Sequence, residues 1–435
     1  MNTRFFSVPL ALLALFPFAA PIQAQVLYGS IVGTVTDQSG AVVPGAKITV
    51  THQDTSQVRE ATSDADGRFS IPNVQGGAYE FKATATGFRT LTRPNVGVTI
   101  NTVTRVGIQL ELGQLSEQIT VEGSTAALQT DKADVHVEIG NLEVINLPLP
   151  QYRNYQSLLD LVPGSIPGRY TNSPGSEPAR SLVAQVNGTN YNNNITKLDG
   201  AVNFNIDLPH HVAYVAPAET VETVNISTNS FDAEQGVAGG AAVTVITKSG
   251  TNRLHGSAFA FHDNSVFGAK NFFFINPRTP KNLITIPGFT LGGPLRKNKL
   301  FFFASWEGAR QRQSYNTVFT LSTPDQRAGD FSAYNTLLYD PTTGSADGSG
   351  RTLFPGNRIP ANRQHSAALK MNSLLPLPNQ PGIANNYFVA GLMPFNRDNY
   401  DAKLNWNRTD AHALFLKLSI MTALVSCKYG LGEAG

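Results

Sequence analysis

His210 and His211, with Asp207 just upstream, are the side chains whose types and spacing most invite chemistry, because imidazole and carboxylate together can ligate a transition metal. A histidine pair on a polar loop is more often solvated or packed than metal-bound, so no metal ligand is assigned. Asp64-Ala65-Asp66-Gly67 opens like a calcium loop, but the regular ligand spacing of such a loop is absent, and a tight turn feeding the strand Arg68-Phe69-Ser70-Ile71 is expected. Neither a GxSxG elbow nor a GxxxxGK phosphate loop occurs. The sequence therefore points to no enzyme, with no catalytic residues and no cofactor. Lys+Arg at 33 nearly balance Asp+Glu at 31, and no basic stripe carries interleaved aromatics, which removes the case for nucleic acid. The single cysteine, Cys427, cannot close an internal disulfide, and its place near the recorded end raises the expectation of a partner cysteine beyond it.

The elements that would position such residues are mostly strands. Phe at 25 and Tyr at 13 favour β structure, and Gly at 38 with Pro at 26 supply turns. Residues 1–25 read as a secretory signal peptide: Arg4, an apolar run from Val8 to Ala20, and Ile22-Gln23-Ala24 before Gln25. After it, no apolar run is long enough for a membrane helix. Residues 26–113 alternate in short runs: Ile48 and Val50 on one face, then Tyr79, Phe81 and Ala83, then Val106, Ile108, Leu110 and Leu112. Turn-rich segments separate these runs, and about seven such strands make a β-sandwich. The stretch from Tyr28 to Leu112 resembles the carboxypeptidase regulatory-like domain, a spacer or interaction module. An attached metallocarboxypeptidase would need a zinc site, and none of the eight histidines is followed three residues later by Glu.

Residues 114–250 change character. Tyr152, Tyr155, Leu158, Leu159 and Val162 recur at helical spacing before Pro163-Gly164 ends the element. Beyond it, segments crowded with Asn, Gly and Thr still carry strand cores such as Val243, Val245 and Ile246. A compact globular core tolerates few such polar loops, whereas a domain seated in a wet barrel lumen can use them. "LPLPQYRNYQSLLDLVPG", "VNGTNYNNNITKLDG" and the run from Phe231 to Phe274 resemble the plug and first barrel strand of TonB-dependent outer-membrane receptors. The order of signal, regulatory-like module, plug and barrel is similar to their Oar-like branch.

Residues 251–435 then read as the start of a transmembrane barrel. Leu300, Phe302, Ala304 and Trp306 face lipid, with Phe301, Phe303, Ser305 and Glu307 inward. Ala402, Leu404 and Trp406 oppose Lys403, Asn405 and Asn407, and Leu414, Leu416, Leu418 and Ile420 oppose Phe415, Lys417 and Ser419. In the first strand, "LHGSAFAFHDN", Phe259 and Phe261 are expected toward lipid and Ala258, Ala260 and His262 toward the lumen. Residues 313–396, rich in turns and prolines, form a long extracellular loop between the third and fourth strands. About five strands cannot close a barrel of the roughly 22 that plugged transporters use. The chain is therefore expected to be an N-terminal fragment or a truncated gene product.

The expected fold class is mainly β: a seven-stranded sandwich, an α+β plug, and the first strands of an incomplete outer-membrane barrel. The resemblance implies a bacterial outer-membrane receptor that binds an extracellular ligand (a siderophore, carbohydrate or peptide) and imports it with a TonB-type energy transducer. It places the transducer contact near Glu117, Gln118, Ile119, Thr120, Val121, Glu122 and Gly123, where an extended unpaired segment would accept a partner strand. Surface adhesion or an export-related role, and a secreted carbohydrate-binding protein, are the alternative readings.

Overall fold

In a computed structural model, the structure describes residues 28–100, 102–113, 118–120, 135–230, 235–236, 238–269, 272, 281–409 and 412–426. The signal segment and Cys427 lie outside the described residues.

The first unit is the sandwich. Its strands are β1 (Gly29–Asp37), β2 (Lys47–His52), β3 (Val58–Thr62), β4 (Arg68–Val74), β5 (Gly77–Thr84), β6 (Thr90–Val98) and β7 (Val103–Leu110). One sheet runs β4-β1-β7, with β1 and β7 parallel; the other runs β3-β2-β5-β6. Period-two alternation explains the core: Ile48, Val50, Tyr79, Phe81, Ala83, Val106, Ile108 and Leu110 point between the sheets and are buried. Leu112 departs from the expected pattern and is 69% exposed, because the strand has already ended at Leu110. Asp64 closes its tight turn by accepting from the backbone of Asp66 and Arg68, with Gly67 at φ 70°.

A three-residue strand, β8 (Gln118–Thr120), then adds in parallel to Thr90–Thr92 of β6. The segment expected to be unpaired is thus an edge strand of the sandwich sheet over these three residues. Glu117, Val121, Glu122 and Gly123 lie outside the described residues.

The second unit is built on β9 (Val135–Gly140), β10 (Ser165–Arg169), β11 (Val183–Val186), β12 (Ile195–Leu198), β13 (Ala201–Val202), β14 (Val221–Asn229) and β15 (Ala242–Thr247). Five of these form a mixed sheet in the order β13-β12-β15-β14-β9, and β10 pairs with β11. A short helix, α1 (Asn141–Asn146), follows β9; the Glu143 carboxylate accepts from the Gly140 backbone N–H that opens it. The helical spacing around Tyr155 resolves as a 3-10 segment, Tyr155–Leu161, rather than one α-helix. Tyr152 and Arg153 at φ 65° and 49° break the run, and Asn154 caps the second part by accepting from the Gln156 N–H. Tyr155, Leu158, Leu159 and Val162 still bury together against Val224, Ile226, Val243 and Val245.

The third unit is one antiparallel sheet of β16 (His255–Asn264), β17 (Asn282–Arg296), β18 (Leu300–Phe319), β19 (Tyr387–Thr409) and β20 (His412–Val425), paired in chain order. Among the described residues no helix is long and apolar enough to cross a membrane. The faces of β18, β19 and β20 agree with the alternation: Leu404, Trp406, Leu414, Leu416, Leu418 and Ile420 are exposed outward, while Phe301, Phe303, Ser305, Glu307 and Lys403 are buried inward.

Two expectations are corrected. Phe259 and Phe261 face the lumen, not lipid, because their register partners Gly288 and Ile286 lie on the buried side of β17. A Cβ at Gly288 would lie 2.3 Å from the Phe259 ring, so this glycine makes room for the aromatic. The long loop is shorter than 313–396, because β18 and β19 stay paired as far as Phe319 and Tyr387. The loop folds on itself: Arg363 clamps Asp340 through both carboxylate oxygens, Arg358 pairs with Asp330, and the Arg363 guanidinium lies over Phe354.

Candidate functional site

The inner face of β19 meets the second unit in a seam of alternating polar residues. Period-two geometry puts Arg397, Asn399, Asp401 and Lys403 on one face, each reaching a different part of the facing unit. Arg397 donates to the Ala179 carbonyl at 2.8 Å and Asn399 to that of Val215 at 3.4 Å. Asp401 accepts from the Tyr214 hydroxyl at 2.7 Å and from Ser419 at 2.6 Å. Lys403 donates to Asp199 at 2.9 Å and to the Thr247 carbonyl at 3.0 Å.

Asp199 is the centre of the seam. It sits in an Asp-Gly turn between β12 and β13, with Asp199 at φ 45° and Gly200 at φ 84°, the two-residue hairpin such a dipeptide favours. That turn aims the carboxylate at the wall, where Lys403 and Lys417 (3.0 Å) flank it and Thr247 donates both its N–H and its hydroxyl. Burial alone would raise the Asp199 carboxyl; the two ammonium groups and Thr247 overcome it and hold the acid below its ordinary range. Burial, with Asp401 alongside, pushes the Tyr214 phenol upward and keeps it a donor.

Toward the other end of the strands, Tyr152 packs edge-on against Phe395 at 5.7 Å, hydrogen-bonds Gln311, and receives the Arg397 guanidinium over its ring at 5.5 Å. Arg153 pairs with Glu219 at 3.0 Å and stacks 3.7 Å over Phe261, which is what fixes that phenylalanine inward. Met421 of β20 joins the apolar cluster of the seated unit.

The histidine pair lies on the same unit. His211 is buried, its Nε2 3.2 Å from Thr171 Oγ1 and 3.1 Å from Asn172 Nδ2, and its ring 4.3 Å from that of His210. Burial, then the neighbouring His210, lower its pKa to about 4, so it is neutral near pH 7. A cavity of about 200 Å³ lies beside it, lined by Tyr191, Phe204, His210 and His211 among others. Glu177, nearby, has its carboxyl pushed up to about 7 by burial. Among the described residues no cluster of three or more His, Cys, Asp or Glu side chains forms a metal site.

A second cavity, of about 670 Å³, lies where the three units meet, lined by Asp54 and Ile100 of the sandwich, Glu222 and Lys248 of the middle unit, and Phe303 and Lys403 of the wall, among others. It sits at the end of the sheet that carries the short turn 297–299 between β17 and β18.

A domain seated by polar contacts on the inner face of an open barrel sheet, behind a small sandwich, defines the class: an outer-membrane barrel protein with a plug. Residues 246–430 match the model of the outer membrane beta barrel domain, and residues 30–111 that of the carboxypeptidase regulatory-like domain. The chain is 25% identical over 328 residues to the TonB-dependent transporter Oar of Myxococcus xanthus, a match covering 70% of this chain and 30% of that protein. It thus spans about a third of the length of that relative. Among solved structures it is similar to the siderophore receptor PirA of Acinetobacter baumannii (16% identity, TM-score 0.36, 68% of this chain and 32% of that one). A smaller likeness is to hydroxyquinol 1,2-dioxygenase of Pseudomonas putida (12% identity, TM-score 0.17, 21% of this chain and 58% of that one). Residues 246–430 thus match an outer membrane beta barrel domain, and the chain is similar to a TonB-dependent transporter of the bacterial outer membrane.

The sequence placed Phe301, Phe303, Lys403, Asn405 and Lys417 on the inner face but did not identify Asp199 or Tyr214 as their counterparts in the seated unit, nor Arg397 as a further inward residue of β19. The available signal was the charge of those inward residues, which must find opposite charges in the lumen.

Proposed function

We propose that the protein binds an extracellular ligand and imports it with energy from an inner-membrane transducer that engages the connector at residues 117–123. The observation that carries this reading is the seam. A plug held mainly by hydrogen bonds and ion pairs exchanges those partners for water far more cheaply than an apolar interface would. Such an interface suits a plug that must be displaced each time a ligand passes. The domain limits 26–113, 114–250 and 251–435 belong to the same proposal, as sandwich, plug and wall.

The test is uptake by source cells of a panel of labelled siderophores, oligosaccharides and peptides. Accumulation of one panel member that is lost on deleting either the receptor gene or the transducer gene supports import. Accumulation of every member unaffected by both deletions rejects it.

A second reading, surface adhesion, draws on the folded loop between β18 and β19, which exposes Leu337, Tyr339, Leu353, Met371 and Leu377 beyond the barrel wall. Loss of cell attachment on excising 324–380, with uptake intact, would favour it.

A further inference from the structure

The 670 Å³ chamber has a floor, and the floor is the sandwich. Its plug side carries Glu222 and Lys248, its wall side Phe301, Phe303 and Lys403, and its remaining side the sandwich loops around Asp54, Gln75 and Ile100. Asp199 and Lys403, the centre of the seam, line the same chamber. Whatever loosens that pair opens onto this space, and the sandwich then stands between the space and the periplasm.

Among the described residues the attachment of the floor is slight. Asn252, in the turn that hands the plug to β16, donates its backbone N–H to the Asp54 carbonyl at 2.9 Å and its amide to Ser56 at 3.3 Å. The same amide donates to Asn298 in the turn between β17 and β18 at 2.7 Å, and Asn298 N–H returns the bond at 2.8 Å. Thr99 donates to Glu138 at 2.7 Å. These groups are exposed, and the apolar core of the sandwich is made of sandwich residues alone. Small polar contacts between units with separate cores leave relative motion as the default. The connector is tied to this floor, because β8 is paired to β6.

We propose that the sandwich is a movable lid on the periplasmic mouth of the chamber, clasped through Asn252 and drawn aside when the connector paired to its edge is pulled. The pull rests on the import reading; the lid and its clasp do not. In the resting state the clasp is closed and the chamber is floored. Tension on the connector passes through the β8–β6 pairing into the sandwich before it reaches the plug, so lid opening precedes plug displacement.

The experiment uses the full-length receptor in lipid nanodiscs, with Cys427→Ser throughout and spin labels at Glu60→Cys in the sandwich and Lys297→Cys in the wall turn. Pulsed dipolar spectroscopy is recorded for this parent, for Asn252→Ala, and for Asn252→Ala with Thr99→Val. It is then repeated with the purified periplasmic domain of the host transducer added. The lid requires a second, longer distance in the clasp variants without any partner. The same single distance in the parent and both variants overturns it. A transducer domain that binds and yet leaves the parent distance unchanged also overturns it. If the clasp variants open but the transducer domain does not bind, the lid stands and the connector reading fails.

Discussion

Two interfaces hold this chain together, and they are built from opposite materials. The plug–wall seam is buried and charged, with Asp199 between Lys403 and Lys417, and Arg397 beside Glu307 at 3.7 Å. The sandwich–turn clasp is exposed and neutral, a handful of amide and hydroxyl bonds around Asn252. A buried ion pair contributes little net stability while intact, yet removing one partner strands the other charge in a dry site. An exposed amide clasp contributes little either way, because water replaces its bonds at once. The seam is therefore a specific lock and the clasp a weak hinge. That difference makes the seam the interface that fixes the plug's position and the clasp the one that binds the sandwich less specifically.

The largest effect that sharpens this contrast comes from Asp199→Ala. It leaves two buried lysines facing each other and is expected to cost the seated plug about 3–5 kcal/mol, read as faster hydrogen exchange across β15. Adding Lys403→Met and Lys417→Met to Asp199→Ala recovers most of that loss. If the triple variant is as loose as the single one, the seam is not an electrostatic lock. Tyr214→Phe removes one hydrogen bond to a carboxylate and costs about 1.5–3 kcal/mol. The lower end is expected, since Ser419 still donates to Asp401 at 2.6 Å.

Acid loosens the plug itself through His211, whose partners Thr171, Asn172 and His210 all belong to that unit. Its folded pKa, lowered to about 4 by burial, lies below the unfolded value of 6.5, so folding favours the neutral ring. That stability is fully present above pH 6.5 and is lost as pH falls from there toward 4. At pH 5 the loss amounts to at most about 2 kcal/mol. Glu177, raised to about 7, acts with the opposite sign, its contribution being lost as pH rises through that value. Comparing the pH dependence of plug protection in the parent and in His211→Asn isolates the histidine, because Glu177 is common to both. A slope no flatter in the variant would reject this role. The smallest effect is that of Asn252→Ala, under about 1 kcal/mol in sandwich unfolding and none in plug protection. A shift in plug protection would show that the two interfaces are one.

Much of the fold was legible because it depends on neighbours in sequence. Leu300 to Glu307 and Leu414 to Ile420 alternate cleanly, and the structure puts each on its expected face. Phe259 and Phe261 were misread because both faces of that strand are small or apolar, so alternation alone carried no sign. Only the register with Gly288 and the Arg153 guanidinium above Phe261 supply it. Likewise Gln118–Thr120 carries no mark of its parallel pairing with β6, since any extended segment fits an open edge.

By itself the sequence determined the strand periods, the Asp-Gly turn at Asp199, the absence of catalytic and nucleotide motifs, and the polar character of the inner wall. Those follow from residues a few positions apart, where side-chain direction repeats with the backbone. Which charge meets which was decided only by the tertiary structure. Asp199 and Lys403 are 204 residues apart, and either could satisfy its charge with any opposite partner in reach. Their meeting is set by how the plug sheet seats on β19, a global packing solution that no local pattern encodes.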